Sequence, residues 1–211
     1  MASAARLLRV SEVSPIRSAA TVILWRKGAA GPEVLMGMRG AAAVFMPSKY
    51  VFPGGGVDPA DHLAARADSL TELCRARLGL RCPADAPAPD TLAATALREL
   101  VEETGITLSP AHPLRFVFRA ITPPGRSRRF DARFFLADAE GASGDLEGFS
   151  GASDELSHLH WIGLDQARSL DLPFITEVVL AEVTALLRGV DQPGVPFFDN
   201  STDVPTFRRL V

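Results

Sequence analysis

Cysteine is nearly absent from this chain of 211 residues: Cys74 and Cys82 are its two cysteines, with no second pair to complete a zinc site. A disulfide scaffold is therefore excluded as the source of its stability, and both are read as free thiols. Lysine is almost as scarce, since 20 of the 22 basic residues are arginine, a bias in keeping with a GC-rich coding sequence. The net charge of −3 denies the chain the basic footprint of a general nucleic-acid binder. No stretch stays apolar long enough to cross a membrane. The start lacks the apolar core of a secretory signal, and the closing Arg208-Arg209-Leu210-Val211 is not a peroxisomal tail. These absences predict a cytoplasmic protein with neither a membrane nor a nucleic acid as partner. No internal repeat divides the chain.

What is present suits a globular enzyme. Hydrophobic residues make up 47% and charged residues 22% of the sequence, and the length predicts one domain over 1–211, with a core over 15–190. Residues 1–16 read as an irregular arm. Two strands, 18–26 and 33–39, are predicted around a hairpin loop at 27–32. Leu63, Ala67, Leu70, Leu73, Ala76 and Leu80 recur near the helical period, so 61–80 is predicted as one helix, broken by the prolines of 81–89. A second helix, capped by Asp90 or Thr91, is expected to run to about Thr104. Strands follow at 114–121, 129–137 and 156–163, with a short helix from Asp165 and an amphipathic helix over 174–187. A Pro-rich tail is expected from Gln192. Strands interleaved with two main helices give an α/β (α+β) sandwich.

The most informative segment is Arg98-Glu99-Leu100-Val101-Glu102-Glu103-Thr104-Gly105-Ile106. Glu99, Glu102 and Glu103 are i, i+3 and i+4, so their carboxylates share an arc of roughly 100° on one helical turn. Leu97, Leu100, Val101 and Thr104 take the other side, and Gly105 supplies a helix stop. Acids at the negative end of a helix are each disfavoured by about 0.3–1 kcal/mol. A hard divalent cation would neutralise that cluster. Upstream, Phe52-Pro53-Gly54-Gly55-Gly56-Val57-Asp58 is a glycine turn that lets backbone approach a ligand or another element. Gly54 and Gly55 are the candidate substrate-contacting residues there.

Together these two pieces resemble the signature of the Nudix hydrolase family, G-x5-E-x7-R-E-U-x-E-E-x-G-U, where U is aliphatic. Gly55 stands at the opening glycine, and Arg98 to Ile106 match the second half without a substitution. Asp61 occupies the place of the first glutamate. From Asp61 to Arg98 the chain holds 36 intervening residues where the pattern has 7, an insertion of 29 assigned to 62–90. A split box opening Phe52-Pro53-Gly54-Gly55, with Asp58 and Asp61, is similar to the branch that cleaves coenzyme A and acyl-coenzyme A. The resemblance implies a Nudix-fold α/β/α sandwich with a mixed sheet, and Mg²⁺- or Mn²⁺-dependent hydrolysis of a small-molecule diphosphate. ADP-ribose and other nucleoside diphosphate derivatives are the alternative substrates. A catalytically dead binding module for a nucleotide or a protein is the reading of another class.

The resemblance also implies roles. Glu102 and Glu103 would be metal ligands, Glu99 a ligand or the base, and Arg98 an orienting cation. Glu155, ahead of Asp154, is the candidate general base or extra ligand before the strand at 156. The composition of 141–153 predicts a loop that moves when substrate binds. On a strand, Arg129, Asp131 and Arg133 share one face, and Arg129 and Arg133 are candidate phosphate contacts, with ion pairing to Asp131 as the plain alternative. Phe130, Ala132 and Phe134 share the other face, as core or as a base-stacking platform. His158 and His160 alternate on a strand without a third ligand and are not a zinc pair. The insertion's apolar stripe of Leu63, Ala67, Leu70 and Leu73 is expected to bury within the domain or against a second copy in a homodimer.

Overall fold

The computed structural model of the chain describes residues 14–64 and 67–211; most of the arm expected at 1–16 lies outside them. β1 (Ile16–Gly28) and β2 (Gly31–Arg39) form an antiparallel hairpin that closes at Gly28↔Gly31, so the strands run through most of the predicted loop. Gly31 has φ 133°, a conformation that a side chain would oppose. Two short strands follow, β3 (Tyr50–Val51) and β4 (Gly54–Gly56). Next come α1 (Asp61–Ala64), a 3₁₀ turn at Ala67–Ser69, α2 (Glu72–Gly79) and α3 (Pro89–Thr104). β5 (Arg115–Ile121), β6 (Arg129–Asp138) and β7 (Leu156–Gly163) lead to α4 (Leu164–Ala167) and α5 (Phe174–Leu187). β8 (Val195–Asp199) and β9 (Thr206–Leu210) end the chain.

The strands form one mixed sheet, in the order β3-β2-β1-β6-β5-β8-β9, with β4 pairing β1 and β7 pairing β2. Its spine is the parallel pair of β1 and β6, in register from Ile16↔Arg129 to Trp25↔Asp138. Central strands with both faces covered need apolar residues on both. Ala20, Val22 and Leu24 face one core with Phe135 and the Leu92, Ala96 and Leu100 side of α3. Ile23, Phe134 and Leu136 face a second core with Val179, Leu180 and Val183 of α5. This is a three-layered α/β/α sandwich with a mixed sheet, the Nudix arrangement.

Three elements differ from expectation. The helix predicted over 61–80 is broken, because Thr71 caps a fresh start by accepting a hydrogen bond from Cys74 N at 3.2 Å. The apolar stripe splits accordingly: Leu70 is buried, while Leu63 and Leu73 are 92% and 57% exposed, and Leu78, outside the stripe, is buried in its stead. α3 starts at Pro89 behind Ala88 with no side-chain cap, its first turn suited to a residue lacking N–H. Asp90 pairs with Arg75 instead, and Thr91 is buried. The Pro-rich tail is a pair of strands, because Val195, Phe197 and Leu210 alternate into the α3-side core.

Leu100 is fully buried beneath the acidic turn. Leu100→Ala should lower unfolding free energy by about 2–5 kcal/mol in urea titrations. Leu73→Ala, on the exposed part of the insertion, should stay within about 0.5 kcal/mol.

Candidate active site

The last turn of α3 and the glycine strand β4 build the site together. Gly105 closes the helix in the left-handed region (φ 72°), its N–H donating to Val101 O at 2.8 Å. Opposite that turn, Gly54 N donates to Glu103 Oε2 at 2.7 Å. A Cβ on Gly55 would sit 2.2 Å from Glu99 Oε1, so a side chain there would displace that carboxylate. The sequence-predicted Gly54 and Gly55 thus lie against Glu103 and Glu99.

Arg98 organises the rest. Its Nε donates to Asp61 Oδ1 at 2.8 Å and its Nη2 to Asp61 Oδ2 at 3.1 Å and Gly56 O at 3.1 Å. Its Nη1 reaches Glu102 Oε2 at 2.8 Å and Glu99 Oε1 at 2.9 Å. A bidentate guanidinium–carboxylate pair is among the stronger, more directional side-chain contacts. Asp61, 2% exposed, also accepts from Thr95 Oγ1 and from Asp58 N, each at 2.8 Å. Burial alone would raise its pKa, but those donors outweigh it and hold the carboxyl below its ordinary value. The hydrogen bond that Arg98 donates to Asp61 in turn raises the pKa of Arg98. Asp61 therefore acts as a clamp on Arg98 and leaves no free carboxylate oxygen for a ligand.

Glu99 and Glu103 are 8% and 2% exposed. Burial is the largest cause of the raised pKa of each; Glu103 is pushed up to about 8, with further repulsion from Glu99 and Glu155. Glu155 is exposed, yet its charge is felt at both glutamates, which is the sense in which it belongs to the site. Asp154, also exposed, has no counterpart to that coupling among the causes acting on Glu99 and Glu103.

Arg39, at the end of β2, is the residue that sequence reasoning missed. Its charge opposes the upward shift of Glu103, and its Nε is buried without a hydrogen-bond partner. The signal was there: a lone cation closing the apolar run Val34-Leu35-Met36, shortly before the glycine turn. Across the sheet its partner is Leu156, next to Glu155.

The candidates on β6 lie elsewhere. Arg129 is 3% exposed, donating to Thr122 O at 3.0 Å and Asn200 O at 2.7 Å. Arg133 is fully buried, 3.0 Å from Asp131 Oδ2. Asp131 also takes a two-pronged pair from Arg119 at 2.8 and 2.7 Å, while Arg119 Nη1 holds Leu80 O of the insertion at 2.9 Å. Neither Arg129 nor Arg133 presents its guanidinium to solvent, which corrects their reading as phosphate contacts: their face of β6 is an internal ion-pair layer. The segment 141–153 is likewise anchored rather than loose. Ser153 N donates to Glu102 O at 3.0 Å, Thr107 and Ser143 exchange backbone bonds, and Gly151 packs on Gly105.

The donor set fits a hard divalent cation. Two buried carboxylates face each other's charge, and the guanidinium beside them is shared among three acids. Among the described residues no three acidic, His or Cys side chains converge as a finished metal centre. Glu99 and Glu102 each meet Arg98 Nη1 through one oxygen, and Glu103 meets Gly54 N through one, so a cation would be held by the remaining oxygens of Glu99, Glu102 and Glu103. Without metal, Glu103 binds its proton more tightly in the folded chain than in the unfolded one. Its stabilising contribution is full below pH 4.5 and is lost as pH rises through about 8. In chelator, the wild type should therefore lose stability over that window by an amount on the order of a few kcal/mol at most. Glu103→Gln should flatten the loss, as read from denaturant midpoints at each pH.

Comparison with known proteins agrees with this fold. Residues 83–183 match the family model described as NUDIX domain. The crystal structure of a NUDIX hydrolase from Alicyclobacillus acidocaldarius superposes with a TM-score of 0.61 at 27% identity, covering 84% of this chain and 94% of that one. RenU, a Nudix hydrolase from M. smegmatis, shares the fold at a TM-score of 0.54 and 16% identity, over 83% and 88% of the two chains. So does the NUDIX domain of Shewanella oneidensis NrtR, at 0.55 and 14%, over 82% and 90%. No curated protein matches the chain. Nudix enzymes generally use divalent metal ions. Residues 83–183 of this chain are thus similar to a NUDIX domain, and the chain carries its acidic helix turn within the fold that Nudix hydrolases share.

Proposed function

We propose that this chain, a hydrolase acting on pyrophosphate bonds, cleaves the diphosphate of a nucleoside diphosphate derivative with Mg²⁺ or Mn²⁺, and that coenzyme A or an acyl-coenzyme A is its preferred substrate. The observation that carries the reading is the pair of buried carboxylates, Glu99 and Glu103, set against Gly55 and Gly54, where an added Cβ would meet the Glu99 carboxylate and the β1 backbone. Such a pair is unstable as two anions and calls for a cation. Bound there, the cation would neutralise the bridging phosphates and favour hydroxide formation from water.

The chain's own residues do the rest. Arg98, fixed by Asp61, sets the rotamers of Glu99 and Glu102. Glu155, exposed and close enough to be felt by Glu103, takes the proton from the attacking water. Water adds to one phosphorus, the bridging P–O bond breaks, and the leaving phosphate departs as a monophosphate. Arg39 is the cation available to a substrate phosphate, in the place first assigned to Arg129 and Arg133.

The coenzyme A preference rests on the likeness of Phe52–Asp61 to the split-box branch. ADP-ribose is the second substrate: the NrtR domain, similar in fold, was crystallised with ADP ribose.

Coenzyme A, acetyl-coenzyme A and ADP-ribose should be compared for product formation with Mg²⁺, with Mn²⁺ and with chelator. Turnover is expected with metal alone, and faster with coenzyme A than with ADP-ribose. Glu155→Gln should lower kcat by about 10²–10⁴-fold, while Asp154→Asn should stay near wild type. A catalytically dead binding module would turn over none of the three and would be indifferent to Glu103→Gln.

A further inference from the structure

Between β6 and β7 the chain runs through turns and irregular backbone from 139 to 155, most of it exposed, and it ends on Glu155. Its course is nevertheless closed by specific bonds. Asp145 holds a tight turn: its Oδ1 accepts from Gly148 N at 2.8 Å and Glu147 N at 3.2 Å, and its Oδ2 from Ser150 N at 3.4 Å. Phe149 then takes the left-handed region (φ 53°), which a side chain opposes; its ring, buried in the α3-side core, keeps it there. Ala152 N donates to Phe149 O at 3.0 Å, Ser153 N to Glu102 O at 3.0 Å, and Glu155 N to Ser153 Oγ at 3.4 Å. A continuous run of hydrogen bonds thus leads from Asp145 to Glu155.

The far end of that run is caught by β7 itself. Trp161, on the strand that starts directly after Glu155, donates its indole N–H to Leu146 O at 2.7 Å. Arg26 of β1 lies over the indole, its Cζ 4.4 Å from the ring centroid, and pairs with Glu147 as well as with Glu33. The backbone therefore closes on itself: out from Glu155 along β7 to Trp161, across to Leu146, and back through the Asp145 turn to Ser153. On the side of the acidic helix this ring is seated on Gly105, where an added Cβ would come within 2.7 Å of the Gly151 backbone. Two stretches of main chain touch there with no side chain between them.

We propose that Trp161 is a positioning residue for Glu155: its N–H, steadied by Arg26, closes the ring that fixes where the base stands relative to Glu99 and Glu103. This deepens the hydrolase reading and rests on it, and on Glu155 as its base. Proton abstraction from an attacking water requires the base within hydrogen-bond reach, and small misplacements are costly in rate. An exposed side chain on an open loop has no such definition. Closure through Leu146 supplies it by way of the backbone, and leaves the carboxylate to meet the water.

The test is a double-mutant cycle between Trp161→Phe and Glu155→Gln, read as kcat and KM with Mg²⁺ on coenzyme A or ADP-ribose, whichever turns over faster. Trp161→Phe keeps a ring beneath Arg26 and removes the donor. It should lower kcat about ten- to a hundredfold with KM within about twofold. In the Glu155→Gln background the same change should cost less than about twofold, because the group it positions is already gone. In the metal-free protein, amide exchange at Ser153 and Glu155 should quicken about tenfold while Leu100 keeps its protection. Should Trp161→Phe fail to fold, Arg26→Met, which removes the cation over the indole and the pair with Glu147, is read in the same way. Unchanged kcat or unchanged exchange would overturn the positioning role. Equal losses in both backgrounds would also overturn it, making the ring a structural clasp only and leaving the hydrolase standing. A Glu155→Gln enzyme at the wild-type rate, or a wild type that turns over neither substrate, removes the base assignment and the positioning role together.

Discussion

The fork of Arg98 is the contact on which the site depends. One guanidinium joins Asp61 from the start of the insertion, Glu99 and Glu102 from its own helix, and the carbonyl of Gly56 from the glycine strand. The stretch from Gly56 to Asp61 and the helix of Arg98, 37 to 42 residues further on, are thereby fixed at one atom group. The charges also matter in sum: a single cation among three acids leaves the cluster electron-rich, and burial amplifies that excess by keeping water from screening it. The helix end is thus rigid in shape and unsatisfied in charge, the two properties a metal-assisted site requires.

What could be read from the sequence is what local spacing determines. Glu99, Glu102 and Glu103 share a helical turn whatever else the chain does, and Gly105 stops the helix by its own backbone freedom. The alternation of Arg129, Asp131 and Arg133 put them on one strand face in the same way. Which face is buried was decided elsewhere, by Arg119 on β5 and by backbone carbonyls of the insertion reaching across to it. Local pattern has no access to that choice.

The other differences have the same origin. Pro193, Gly194, Pro196 and Pro205 hide the alternation that makes β8 and β9 strands, which exist because β5 offers an open edge to pair with. Leucine spacing across 61–80 was helical throughout, but Thr71 is a good cap, and a new helix beginning there buries Leu78. Arg39 was overlooked because its meaning is wholly tertiary: a strand-end arginine is unremarkable until α3 sets a buried carboxylate in its field.

The place where the insertion enters has a consequence for how the chain can vary. Asp61 is both the first residue of α1 and the partner of Arg98, so the excursion is tethered at the site itself and returns at α3 a short distance away. For a loop whose ends are already pinned, added length is inexpensive, since each doubling costs only about 0.6 kcal/mol of closure entropy. Growth in its exposed stretches is therefore nearly neutral for folding, whereas losing the buried Leu70 or Leu78, or changing Asp61, is not. Polymer statistics would let those exposed stretches drift in length and composition while the residue at the segment's root stays put.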